Sequence, residues 1–209
     1  MPSIYQLKPA FQNLLRPLVR GLAGAGVTPN QVTLAAVVLA VAVGAAIALL
    51  PGHHAVLLLV PLVMFVRMAL NAVDGMLARE HAMQTVLGGF LNELTDVLAD
   101  CALYLPFALV LPAYAWLVLA VVLLAVIGEY AGVIAQALGG TRRYDGPMGK
   151  SDRAFVFGLI ALLLGAGLAP GLWCGMLLAV TALLAAWTAC NRVRRGVAEI
   201  AQANGRVEK

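Results

Sequence analysis

Two short runs of polar side chains interrupt an otherwise apolar chain. Arg67, Asn71 and Asp74 recur at i, i+4 and i+7; Glu93, Asp96 and Asp100 recur at i, i+3 and i+7, with Asn92 at the edge of the second set. Either spacing places its residues on one face of a helix. With Glu80 included, residues 71 to 100 hold five of the ten acidic side chains. Carboxylate and amide oxygens converging from two helices suit a hard cation such as Mg²⁺ or Ca²⁺. No His/Cys cluster accompanies them, since His53, His54 and His81 stand apart, which argues against zinc. A charge within a membrane span is costly and faces a protein interior or an aqueous cavity, so a proton or cation pathway is the competing use of these stripes.

The stripes face each other if their helices form a hairpin turning near residues 83 and 84. Positions of equal depth then pair Arg67 with Asp100, Asn71 with Asp96, and Asp74 with Asn92 or Glu93. At a rise of about 1.5 Å per residue, Arg67 and Asp100 lie about 6 Å deeper than Asn71 and Asp96. The deep pair reads as a buried salt bridge and the shallow set as an oxygen-lined metal site. Beside it, Gly75 and Ala78 let a flat ligand approach the helix backbone, while the Arg79 guanidinium engages an oxyanion. A metal next to such a groove suits a pyrophosphate, and the combination favours phosphoryl-group transfer.

These residues need elements to carry them, and the composition says which. The 209-residue chain is 62% hydrophobic and 11% charged, the profile of an integral membrane protein. A spanning helix takes about 20 apolar residues. Candidate runs occupy residues 31–50, 55–74, 88–111, 113–138, 153–168 and 171–190. The expected fold is therefore all-α, with six transmembrane helices over residues 28–209 and an N-terminal juxtamembrane segment over residues 1–27. In that segment Ile4, Leu7, Phe11, Leu14, Leu15 and Leu18 recur at near-helical spacing among Lys8, Arg16 and Arg20. This fits an amphipathic helix on the cytoplasmic surface and equally a basic leader that sets topology. No cleavable signal peptide is evident.

Basic residues cluster before the first run, after the second, around the loop before the fifth and after the sixth; the connections near Gly52, Pro112 and Pro170 carry none. The positive-inside rule then places both termini and the acidic hairpin turn in the cytoplasm. The expected location is the inner membrane, multi-pass. The net charge of +4 thus reflects topology and attraction to anionic lipid, and nucleic acid is not an expected partner. The loop over residues 139–152 is rich in glycine and positive charge, and Arg142, Arg143, Lys150 and Arg153 are candidates to clasp a phosphate on a substrate; the bland alternative is a topology-setting basic loop. Glu129 is a separate buried acid that needs an arginine or hydroxyl partner. Cys101, Cys174 and Cys190 show no CxxC spacing and read as small buried hydrophobes.

The residues resemble the CDP-alcohol phosphotransferase family, whose signature is D-x-x-D-G-x-x-A-R, eight residues, then G-x-x-x-D-x-x-x-D. Here Asn71, Asp74, Gly75, Ala78 and Arg79 are followed, after the same interval, by Gly88, Asn92 and Asp96. TPNQVT before the first run, and Gly149 with Lys150, extend the resemblance over most of the chain. It implies a homodimer of six-span subunits that moves a phosphatidyl or other phospho-alcohol group from a CDP-activated alcohol, such as CDP-diacylglycerol, to an acceptor hydroxyl, releasing CMP in phospholipid synthesis. It further implies that Asp74 and Asp96, with Asn71 and Asn92 in the two remaining signature positions, hold divalent metal, Mg²⁺ or Mn²⁺. Gly75, Ala78, Arg79 and Thr85 belong to the CDP site, and Asp96 is the general base, with Asp100 as runner-up. The acceptor, phosphorylated if the basic loop serves it, would meet Arg142, Arg143, Lys150 and Arg153. The two asparagines remove two formal negative charges from the metal site. That leaves a transferase with a modified site holding as few as one metal, a CDP-lipid-binding protein without turnover, or a small transporter.

Overall fold

The computed structural model describes residues 4–207, with side-chain environments from residue 9 onward except at 204, 206 and 207. Ile4, Leu7 and Lys8, and the basic residues Arg206 and Lys209 that follow the sixth run, therefore lie outside the described side chains. Among the described residues the fold is entirely helical: α1 (Ile4–Gly24), α2 (Pro29–Leu49), α3 (His54–Leu57), α4 (Leu59–Glu80), α5 (Val86–Tyr104), α6 (Phe107–Val110), α7 (Ala115–Ala137), α8 (Lys150–Gly165) and α9 (Leu172–Val207), with a 3₁₀ turn at Pro112–Tyr114.

Four segments are long and apolar enough to cross a bilayer unaided: Pro29–Leu49, His54–Glu80, Pro112–Ala137 and Leu172–Ala203. The remaining two of the six expected runs fall to α5 and α8. α5 has 19 residues, and Glu93, Asp96 and Asp100 lower its apolarity. α8, at 16 residues, is shorter than the ~20 that a perpendicular span needs.

Local sequence explains the starts of α2 and α5. Thr28 caps α2: its hydroxyl accepts from the Gln31 amide at 3.4 Å, the Gln31 side chain accepts from the Thr28 amide at 2.9 Å, and Pro29 occupies the first turn, a reciprocal box that satisfies two otherwise unpaired donors. Thr85 caps α5 through its hydroxyl alone, accepting from the Gly88 amide at 2.9 Å. The turn between α4 and α5 stays short because Ala82 takes a left-handed conformation, φ 53°, at a cost of roughly 1–2 kcal/mol for a residue with a Cβ.

α2 packs along both α4 and α5, α7 along α9, and α8 against α4. At Gly44 a Cβ would overlap the backbone carbonyl of Ala102, so glycine there is what lets α2 and α5 cross closely. The main core runs through these contacts; Tyr104 on α5 stacks on Phe157 of α8, centroids 4.2 Å apart, and Phe107 meets the same ring edge-on at 5.3 Å. A second cluster docks α1, where Val19 is buried with Val32, Val73, Met76 and Leu77, and Arg16 reaches Glu80 at 3.1 Å. Outward faces carry Phe65, Leu94, Leu123, Leu183 and Trp187, side chains that water would disfavour and lipid accepts. Among the cysteines Cys174 is buried and Cys101 half-buried, but Cys190 is exposed. The buried reading fails for Cys190 because its position faces away from α7 along the outer surface of α9.

Candidate functional site

The deep layer is an alternating chain of ion pairs. Arg67 of α4 contacts Asp100 of α5 at 3.1 Å, at the depth where the hairpin aligns them. The other Asp100 oxygen takes Arg153 of α8 at 3.3 Å. Arg153 also contacts Glu129 of α7 at 3.2 Å, and Glu129 in turn receives Arg142 at 3.0 Å and Arg192 of α9 at 3.1 Å. Arg142 closes the chain with a fork onto Glu93, at 2.9 and 3.2 Å. Arg67, Asp100, Arg153 and Arg192 are all buried. Charges this poorly hydrated persist only when paired.

The shallow layer lies nearer the α4–α5 turn. The Asn71 amide donates to Asp96 Oδ1 at 3.1 Å. Lys150, first residue of α8, places Nζ 2.5 Å from the same oxygen, and Arg67 Nη2 is 4.0 Å from it. Asp74 makes no hydrogen bond with Asn92 or Glu93, its depth partners; its Oδ2 accepts instead from the Thr33 hydroxyl of α2 at 2.8 Å. Asn92 is exposed at the rim. Gly75 has a steric role: a Cβ there would come within 2.9 Å of the Arg79 guanidinium, which folds back over it. Thr85 spends its hydroxyl on the cap of α5. Ala78 is half-buried on the Gly75 side of α4.

A cavity of about 280 Å³ opens beside these layers. Its walls include Asn92, Asp96, Glu129, Arg142, Lys150 and Arg153. A second, of about 530 Å³, runs between α4 and α8; its walls include Met64, Phe65, Met68 and Phe155, and its floor Arg67 and Asn71. Asp100, Lys150 and Ser151 line both. Arg143 lines neither. It contacts Asp145 at 2.7 Å and Glu199 at 3.0 Å, fastening the α7–α8 loop to α9 together with Arg195, which contacts Asp145 at 2.7 Å. Burial alone would raise the Asp145 pKa, but the hydrogen bonds from Arg143 and Arg195 outweigh it and hold the carboxyl below its ordinary value. Burial likewise opposes charge on Arg142, yet Glu93 and Glu129 keep its pKa raised.

Thr33 and Arg192 have no assigned role in the sequence reading: Thr33 is the last residue of the TPNQVT run, and Arg192 counts only among the basic residues after the sixth apolar run. The available signal for Arg192 was the spacing of Thr181, Thr188 and Arg192 at i, i+7 and i+11, a polar stripe that proves buried throughout.

Residues 26–195 match the sequence profile of the CDP-alcohol phosphatidyltransferase family. The chain belongs to the CDP-alcohol phosphatidyltransferase family. Among relatives of this CDP-alcohol phosphatidyltransferase, inner membrane protein YnbA of Escherichia coli is 45% identical over 92% of this chain and 95% of that one. Archaetidylinositol phosphate synthase of Pyrococcus horikoshii is 31% identical over 50% of this chain and 53% of that one. The fold is that of Mycobacterium tuberculosis phosphatidylinositol phosphate synthase PgsA1 with CDP-DAG bound, at a TM-score of 0.73 and 21% identity, covering 86% of this chain and 92% of that one. The same enzyme with manganese and citrate aligns at the same TM-score and identity over 86% and 87% of the two chains. Family membership and four helices long and apolar enough to cross a bilayer together make this CDP-alcohol phosphatidyltransferase a multi-pass membrane protein of a transferase family.

Proposed function

We propose that this protein transfers a phosphatidyl or related phospho-alcohol group from a CDP-activated lipid, CDP-diacylglycerol foremost, to an acceptor hydroxyl. The observation that carries the reading is the meeting of Asn71, Asp96 and Lys150 where an apolar-walled cavity and a polar one join. Such a junction holds a lipid by its chains and presents its phosphates to a polar acceptor. The acyl part lies between α4 and α8, the cytidine beside Gly75, Ala78 and Thr85, and the pyrophosphate under Arg79. Asp74 and Asp96, with the Asn71 and Asn92 amide oxygens, are hard donors that fit Mg²⁺ or Mn²⁺, although no group of three or more His, Cys, Asp or Glu side chains converges among the described residues. A cation bound there supplies charge neutralisation at the pyrophosphate.

The acceptor occupies the polar cavity against Arg142, Lys150 and Arg153. Asp96 takes its hydroxyl proton; the freed oxygen bonds to the lipid-bearing phosphorus, and the bond from that phosphorus to the CMP oxygen breaks. Asp100, between two guanidinium groups, is a positioning residue that orients Arg67 and Arg153. Arg143 acts at one remove, by holding the loop that carries Arg142. α5 and α8 complete six spans, with α1 on the cytoplasmic surface, both termini and the site cytoplasmic, and two chains associating as a homodimer. The two asparagines favour one second reading, a CDP-lipid-binding protein without turnover.

CMP release from CDP-diacylglycerol in proteoliposomes, with a panel of neutral and phosphorylated alcohols, separates the two. We expect release with at least one acceptor, and for Asp96→Asn a fall of about 10²–10⁴-fold with CDP-lipid binding retained. Full activity in Asp96→Asn removes it as the base; binding without release for every acceptor leaves the second reading.

A further inference from the structure

The proposed metal site differs from a four-carboxylate one in charge and also in which oxygens are already engaged. Asp96 Oδ1 is engaged three times over, by the Asn71 amide at 3.1 Å, Lys150 Nζ at 2.5 Å and Arg67 Nη2 at 4.0 Å. Asp74 Oδ2 is engaged by Thr33 at 2.8 Å. On each of the two carboxylates one oxygen already accepts from the protein. A second ion held through both oxygens of Asp96 would sit against the Lys150 ammonium at Oδ1.

The charge count agrees. Asp74 and Asp96 supply two negative charges where Asn71 and Asn92 supply none, and Lys150 adds a positive one in direct contact. Two divalent ions side by side repel each other four times as strongly as two unit charges, and two-metal sites set them about 3.5–4 Å apart. Two carboxylates less one ammonium leave a single net negative charge, which attracts one ion but does not offset the repulsion between two.

We infer that this site takes a single divalent cation, and that the Lys150 ammonium is a resident charge at Asp96 Oδ1 in place of a second ion. The inference rests on the reading of Asp74 and Asp96 as metal-holding residues. It assigns Lys150 a role distinct from acceptor contact. Lys150 begins α8, so its stem is anchored at the cavity junction, and Asp152 in the same turn accepts from the Gly149 amide at 2.8 Å to fix that start. The ammonium is consequently part of the site before any substrate arrives.

Counting Mn²⁺ bound per full-length chain in detergent, by electron paramagnetic resonance with CDP present, tests this without recourse to activity. The wild type should hold one ion and the triple variant Asn71→Asp/Asn92→Asp/Lys150→Met two. Lys150→Met alone should keep one ion and bind it about tenfold more tightly, because a positive charge in contact with the ligand has gone. Two ions in the wild type would overturn the inference and leave the proposed function standing. Unchanged Mn²⁺ affinity in Lys150→Met would also overturn it. No ion bound to the wild type would remove the metal site, and with it both the inference and the metal-dependent reading of function.

Discussion

Glu129 receives three arginines and Asp100 two, so at the scale of single residues the buried polar layer is a network in which these two acids are each shared. Removing one acid strands cations that cannot reach water. Asp100→Asn should therefore lower unfolding stability by about 3–5 kcal/mol, read by thermal or denaturant unfolding in micelles. Arg67→Met/Asp100→Leu should lose less, because the pair is replaced by packing and Arg153 retains Glu129. Equal losses in the two variants would mean that the ion pair itself, more than the stranded charge, supports the fold. The Arg67–Asp100 pair was legible from helical spacing and depth alone. The share of Glu129 taken by Arg192 was not, because those residues are 63 positions apart and periodicity reports only which face a residue occupies, never what faces it.

Among the elements, α2 has an influence on the site that its composition hides. Its one hydroxyl in contact with the site, on Thr33, bonds Asp74 across the helix crossing and also its own Pro29 carbonyl at 3.1 Å. The Asp74 carboxylate is thus aimed by a neighbouring helix, as ligands of metal sites are oriented by their outer hydrogen bonds. Thr33→Val should weaken Mn²⁺ binding about 10-fold, toward the lower end of the 10–100-fold range for such partners, with the unfolding midpoint little changed. If Mn²⁺ affinity is unaltered, the hydroxyl serves only its own helix. α5 and α8 show the complementary limit of sequence reading. Their apolar runs were visible, yet one is lowered in apolarity by the acids it carries and the other is short, because both give their inner faces to the site and to neighbouring helices in place of lipid.

Over the whole molecule, the distribution of basic residues predicts the sidedness of the site. Single cysteines introduced at Gly52, Ala113 and Gly171, in a background lacking the three native ones, should react with a membrane-impermeant maleimide from the periplasm. One at Met83 should react only after the inner membrane is opened. Labelling of Met83→Cys in intact cells would invert the proposed orientation. Much of this protein is written in local sequence: a membrane protein built of helices, a polar hairpin with signature spacing, capped starts at Thr28 and Thr85, and two asparagines where carboxylates would carry charge. These follow from hydropathy, period and backbone chemistry, all of which act over a few residues. Which oxygen of Asp96 is engaged, what aims Asp74, and how Arg153 and Arg192 converge on Glu129 depend on contacts between helices far apart in the chain. Only packing brings those helices together, and so only the folded molecule assigns each buried charge its partner.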